Sequence, residues 1–285
     1  MTTSSTPTHR TWFITGASSG IGLALATAAA ERGDQVVALA RSVDRLAPLV
    51  AEHGDRVLAL AVDVRDAVQV EDSVQQAVRR FGRLDVVANN AGYGVFGAVE
   101  EATADQARGI WETNVLGVLN VLRSTLPVLR AQRSGHVLQG SSYYGQTAHA
   151  GVGLLAATKY AVEGLSDALV GEVGPLGIGV TLVEPGPTAT AFLDNLDLTG
   201  TIGDYDATVR AVQKEIGELP ASAFTSPEGV VATIFAAVDS ANPPVRLATG
   251  RVAVAEMRTA LQARLAELES WASVSEAADT VDARA

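Results

Sequence analysis

The sequence predicts an α/β fold with a doubly wound parallel sheet, and three observations carry that expectation. Short apolar runs alternate with longer helical stretches along most of the 285 residues. The short runs are apolar on both sides, as strands covered on both faces must be. A glycine-rich turn joins the first run to the first helical stretch. Alternation in this order implies right-handed crossovers and a single large domain.

The strands fall at Trp12–Thr15, Gln35–Ala40, Val57–Val62, Leu84–Ala88, Gly135–Gly140 and Ile178–Glu184. Helical stretches fill 20–32, 43–53, 66–81, 103–132 and 153–174. Residues 187–223 break the pattern, being rich in Thr, Asp and Gly and only partly periodic. Their place after the sixth strand suits a mobile loop-helix lid over a substrate, or equally a plain surface connection. A helix at 226–239 and a short strand at Val245–Ala248 follow. Over 251–270, Val252, Met257, Leu261, Leu265 and Leu268 recur at helical spacing, a stripe expected against the domain or a partner subunit. Residues 1–9 read as a flexible polar N-terminus and 10–250 as the catalytic domain. Residues 251–285 read as a C-terminal helix and tail, with the last dozen residues disordered.

Composition narrows the function. Hydrophobic residues make up 47% of the chain, enough for a sizeable core. A net charge of −11 argues against nucleic acid, whose phosphates need a basic face, and against an anionic membrane surface. No apolar run approaches the ~18 residues of a spanning helix. The absence of cysteine excludes disulfides, metal thiolates and catalytic thiols. The expectation is a soluble, cytoplasmic protein without a metal. Lys159 and Lys214 are the only lysines among 21 basic residues, which marks Lys159 as a place where an ammonium is wanted.

The turn Thr15-Gly16-Ala17-Ser18-Ser19-Gly20-Ile21-Gly22 follows a strand and opens a helix. Gly16 allows a tight turn, Gly20 a close backbone approach to a pyrophosphate, and Gly22 close helix–sheet packing. The helix start then offers Ser18, Ser19 and Ile21 backbone groups and a positive dipole end to an anion. After the second strand, Ala40 cannot bind a ribose 2′-hydroxyl as an acidic residue would, whereas Arg41, helped by Arg45, can pair with a 2′-phosphate. This favours NADP(H).

These motifs, in this order, resemble those of the short-chain dehydrogenase/reductase superfamily over residues 10 to about 250. The glycine turn is similar to its Thr-Gly-x-x-x-Gly-x-Gly, and Asp63-Val64 to the pair that contacts adenine. Asn90, Ala91 and Gly92 belong to an Asn-Asn-Ala-Gly motif. Asn114 matches the asparagine that holds a relay water, Ser142 the serine that binds the substrate oxygen, and Pro185, Gly186 and Thr190 the loop beside the nicotinamide. The resemblance implies a Rossmann fold, a small-molecule substrate, and a homo-dimer or homo-tetramer joined through 103–132 and 153–174. Lys159 would bind the nicotinamide ribose and lower the pKa of a neighbouring phenol.

That phenol is missing. The family spaces its serine, tyrosine and lysine thirteen and four residues apart, and Leu155 stands where the tyrosine belongs. Leucine donates no proton, and losing a general acid costs about 10²–10⁴ in rate. Four readings stay open: a reductase that has lost its acid; a reductase using Tyr143, Tyr144 or His149 instead; a non-redox cyclase, isomerase or lyase that works by positioning; or an NADP(H) sensor. The resemblance implies as the best functional label an NADP(H)-dependent oxidoreductase of carbonyl reductase or alcohol dehydrogenase type with an atypical site. Both the lid region and residues 143–155 lean apolar, which suggests a hydrophobic substrate.

Overall fold

The computed structural model describes residues 9–193 and 195–280. Seven strands form one parallel sheet in the order β3-β2-β1-β4-β6-β7-β9. They are β1 (Thr11–Thr15), β2 (Gln35–Ala40), β3 (Val57–Ala61), β4 (Val86–Asn89), β6 (Gly135–Gly140), β7 (Ile178–Pro185) and β9 (Arg246–Thr249). A second, two-stranded parallel sheet pairs β5 (Val95–Phe96) with β8 (Asp197–Leu198). The order reverses between β1 and β4. Ligands of doubly wound sheets bind in the crevice at such a switch point, outside the carboxyl ends of the strands.

The helices are α1 (Gly20–Glu31), α2 (Ala47–His53), α3 (Ala67–Phe81), α4 (Ala104–Trp111), α5 (Gly117–Gln132), α6 (Gly153–Val173), α7 (Ala211–Gly217), α8 (Pro227–Val238) and α9 (Arg251–Glu276). Alternation along each strand assigns them to layers, since successive side chains point to opposite faces. Phe13, Val37, Leu39, Val87, Val137 and Leu182 face α3, α5 and α6. Trp12, Ile14, Val36, Ala38, Leu138 and Val183 face α1, α2 and α8. A third apolar cluster sits above the strand ends and joins Val95, Phe96, Tyr143, Tyr144, Leu155, Val209 and Met257.

Local chemistry sets the element ends. Asp66 caps α3 by accepting from Val68 N at 2.9 Å and Gln69 N at 3.2 Å. Ser226 caps α8, with Pro227 in the first turn.

One expectation, the disordered tail, needs correction, and three others gain detail. The stretch 103–132 is helical as expected but carries a π-helical turn at Glu112–Leu116, which divides it into α4 and α5. The segment 187–223 carries its own structure, including β8 and α7. The C-terminal tail is helical through Glu276, followed by a 3₁₀ turn at Ala277–Thr280. The domain covers only part of the α9 stripe, which was expected against the domain or a partner subunit. Ala253 and Met257 face the domain, while Leu261, Leu265 and Leu268 are exposed. The expected flexibility of 1–9 concerns residues that, apart from His9, lie outside the described ones, as do 281–285. Among the described residues, no helix is long and apolar enough to cross a membrane, and no cluster of three His, Cys, Asp or Glu forms a metal site.

Candidate active site

The glycine turn has the shape of a phosphate cradle. Gly16 and Gly20 take φ of +66° and +53°, in the left-handed region that favours glycine. A Cβ on Gly22 would lie 2.3 Å from Gly16 O, and one on Gly16 would lie 2.9 Å from Ala91 Cα. Asn90 ties the turn to the end of β4. Its Nδ2 donates to Thr15 O at 3.1 Å and Gly16 O at 3.3 Å, and Thr15 Oγ1 accepts from Asn90 N and Ala91 N, each at 3.0 Å. Ser18 is half-buried, Ser19 exposed, and Ile21 packs into the core beneath. The Ser19 side chain makes no capping bond to α1. The helix start therefore keeps its first-turn N–H groups for an anion. Thr190 covers the turn, with its Cγ2 3.3 Å from the position of a Gly20 Cβ.

Arg41 is exposed at the end of β2 and makes no ion pair among the described residues. At the end of β3, Arg65 holds Asp63 with Nη2 2.5 Å from Oδ2. That hydrogen bond keeps the Asp63 carboxyl below its ordinary range, with Arg41 adding a smaller pull. Sequence reasoning missed Arg65 because its partner lies on the same short loop. Val64 is buried against Gly117 and offers its carbonyl to Asn120. Arg45 is exposed in the 3₁₀ turn before α2.

Asn114, Gly92 and Lys159 come together. Asn114 is buried in the π-helical turn. Its Nδ2 donates to Tyr93 O at 2.9 Å and Thr158 Oγ1 at 3.1 Å, and its Oδ1 accepts from Tyr93 N at 3.1 Å. A Cβ on Gly92 would lie 3.0 Å from Asn114 Oδ1 and 3.8 Å from Lys159 Nζ. Lys159 Nζ donates to Gly140 O at 2.7 Å. Burial pushes its ammonium down to about 8, against the opposing charge of Glu163.

Ser142 begins the loop after β6. Its Oγ donates to Pro185 O at 3.4 Å and accepts from Tyr144 N at 3.2 Å. This bond joins the serine to the Pro185-Gly186 loop, where Gly186 N donates to Thr249 O at 3.1 Å. One turn of α6 before Lys159, Leu155 is 5% exposed. A Cβ on Gly94 would lie 2.7 Å from Leu196 Cδ2, 3.1 Å from Phe192 Cζ and 3.4 Å from Leu155 Cδ2. Three apolar side chains, Leu155 among them, thus converge on Gly94.

Tyr143 and Tyr144 stack at 4.0 Å, and His149 meets the Tyr144 ring edge-on at 5.6 Å. Burial raises both phenols, and Glu256 adds to the rise in each. No cation stands among the groups that shift them, so Lys159 does not acidify either one.

Two buried carboxylates behind the site were not legible in the sequence. Glu163 accepts from Ser141 Oγ at 2.5 Å, Gln146 Nε2 at 3.0 Å and Arg246 Nε at 3.1 Å. Glu184, wholly buried, accepts no well-formed hydrogen bond among the described residues and faces Glu163. Burial, with the negative charge of Glu163, raises its carboxyl to about 8, so at neutral pH it holds a proton that it can share with Glu163. The folded value lies above the unfolded one. Stability from this proton is therefore full below about 4.5 and lost as pH rises through about 8. Glu184→Gln is expected to flatten that fall and to stabilise the protein on the order of a few kcal/mol at alkaline pH. Urea unfolding of both proteins across this range checks it.

A third hidden carboxylate, Glu101, clamps the 187–223 segment. It accepts from Ala98 N and Ile202 N, each at 2.8 Å, and pairs with Arg210. Burial pushes this carboxyl up, but the two N–H groups and Arg210 hold it down at about 2.

A short chain dehydrogenase family profile matches residues 10–200. The chain is 37% identical to oxidoreductase BOA17 of Botryotinia fuckeliana over 266 residues, covering 93% of this chain and 97% of the relative. It is 36% identical to the 3-ketodihydrosphingosine reductase of Bacteroides thetaiotaomicron, covering 90% and 91%. A short-chain dehydrogenase structure from Streptomyces avermitilis superposes with a TM-score of 0.88 at 35% identity, covering 98% of this chain and all of that one. An alcohol dehydrogenase from Thermococcus sibiricus, complexed with 5-hydroxy-NADP, gives 0.71 at 27% identity over 86% and 97%. The chain belongs to the short-chain dehydrogenase family.

Proposed function

We propose that this protein is an NADP(H)-dependent oxidoreductase of carbonyl reductase or alcohol dehydrogenase type, acting on a hydrophobic substrate at a site without the usual proton donor. One observation carries this reading. Leu155 sits buried one turn before Lys159, packed toward Gly94, Phe192 and Leu196, while the surrounding polar frame is complete.

The cradle of Gly16, Gly20 and Gly22 would hold the pyrophosphate, Arg41 and Arg65 the 2′-phosphate, and Lys159 the nicotinamide ribose. The bound cofactor supplies or accepts the hydride. Ser142 would hydrogen-bond the substrate oxygen, and Asn114 would fix the Tyr93 backbone that walls the site. Tyr143 and Tyr144 shape the pocket. Their raised phenols give up protons reluctantly and have no cation to offset the rise, which weighs against their replacing the missing acid.

The apolar lining supports a ketone or alcohol on a hydrocarbon framework, and the Bacteroides relative's name adds 3-ketodihydrosphingosine to the substrates worth trying. The test measures NADPH oxidation over a panel of hydrophobic ketones and aldehydes, with Leu155→Tyr alongside. Gain of turnover in the variant supports the reading. Conversion of substrate without NADPH consumption favours non-redox chemistry instead.

Arg41→Glu is expected to weaken NADPH binding by about 10–100-fold and leave NADH binding within a few-fold, since charge-assisted contacts contribute about 1.5–3 kcal/mol. Parallel fluorescence titrations with the two cofactors check it. Equal losses for both would remove Arg41 from 2′-phosphate recognition. Homo-oligomerisation is also proposed, through α4, α5 and α6. The open groove beside Ile110, Trp111, Leu116, Leu154 and Ala157 supports it, with Trp111 and Leu116 both more than two-fifths exposed.

A further inference from the structure

We infer that α9 is a second self-association surface, on which two copies of this chain pair their α9 helices antiparallel. The helix has 26 residues, about 39 Å of length. Its first turns are anchored by Ala253 and Met257, and Arg264 reaches Gln146 O and Tyr160 Oη. On a face away from these anchors the helix carries an apolar row that nothing covers among the described residues. Val254 is 39% exposed, Leu261 47%, Leu265 55% and Leu268 65%. At 100° per residue these four lie within about 60° of one another, one straight stripe over four turns. Such a row on a soluble surface marks an interaction site.

Charge order selects the occupant and its direction. Arg251, Arg258, Glu269 and Glu276 flank one edge of the stripe, all within about 20° of one another. All four are exposed, and none makes an ion pair among the described residues. Arg251 and Glu276 are equidistant from the point between Ala263 and Arg264. Arg258 and Glu269 are equidistant from the same point, and Leu261 and Leu265 straddle it. A two-fold axis there sets Arg251 of one copy against Glu276 of the other, Arg258 against Glu269, and leucine against leucine. In a parallel two-fold pair this edge falls on opposite sides of the seam in the two copies, so the arginines and glutamates would not meet. The isologous antiparallel pair satisfies all four charges with one chain. This surface is separate from the α4–α6 groove and adds to any contact made there.

The absence of native cysteine makes a clean test available. Arg258→Cys and Glu269→Cys proteins are prepared separately, then alone and mixed they are treated with a bis-maleimide shorter than the offset between the two positions. In an antiparallel pair that offset separates position 258 from its own copy by about 16 Å. The expected result is about tenfold or more linked dimer in the mixture than in either protein alone. Efficient linkage of Arg258→Cys to itself, or no excess in the mixture, overturns the proposal. Light scattering on the Leu261→Glu, Leu265→Glu double variant gives an independent reading. Both positions are exposed, so the fold stands, and unfolding midpoints confirm it. The assembly's mass should halve, and an unchanged mass, or a monomeric parent, overturns the proposal.

Discussion

Leu155→Tyr is expected to raise NADPH-dependent carbonyl reduction by about 10²–10⁴-fold, the usual contribution of a positioned general acid. Residues 155 and 159 lie on one face of α6, one turn apart. A phenol at 155 would therefore stand beside the Lys159 ammonium, which favours the phenolate and makes the group a better acid. The new ring must fit where Leu155 packs toward Leu196 and Phe192. Both neighbours belong to the segment after Pro185, and Phe192 is 40% exposed, so they can shift. Overpacking a tight core costs about 1–3 kcal/mol, and the lower end applies to a site with a yielding wall. Steady-state rates over the ketone panel, with unfolding midpoints as control, check both statements. A gain below about tenfold would mean that proton transfer is not what limits this chain.

The second large effect concerns the cofactor cradle. Gly22→Ala places a methyl 2.3 Å from Gly16 O and 2.4 Å from Asn90 Nδ2. Neither neighbour can yield cheaply. Gly16 O is backbone, and Asn90 bridges the turn to β4 through Thr15 and Gly16. The turn must open or Asn90 must let go, so the first-turn N–H groups no longer converge on one anion. NADPH affinity is expected to fall by about 100-fold or more, and stability by about 1–3 kcal/mol. Gly171→Ala, with nothing within 4 Å of its added methyl, serves as the control and should gain about 0.5–1 kcal/mol. Titration calorimetry and thermal unfolding on the three proteins measure both quantities. Unchanged NADPH affinity in Gly22→Ala would remove the cradle from cofactor binding.

The parts of the molecule legible in the sequence are those governed by short-range patterns. Gln35–Ala40 and Gly135–Gly140 are bounded to the residue, and the other main strands to within two, because two-faced burial imposes continuous apolar runs. The register of Ser142, Leu155 and Lys159 was countable because all three sit on one strand end and one helix. The hidden parts depend on partners far apart in the chain. Glu101 meets Arg210 across 109 residues, and Glu163 meets Arg246 across 83. No local pattern marks either glutamate as buried. Strands β5 and β8 have two residues each, too few to show a period. The α9 stripe was visible, but its face was not, since helical spacing says which residues align and not which of them the domain covers.

The most direct test of the proposed site follows NADPH binding and NADPH consumption on the same samples of this chain and its Leu155→Tyr variant. The expected result is saturable binding of similar affinity in both proteins, with substrate turnover at least about 100-fold faster in the variant. Comparable turnover in the two, or no NADPH binding by this chain, would contradict the account of an intact nicotinamide site that lacks only its proton donor.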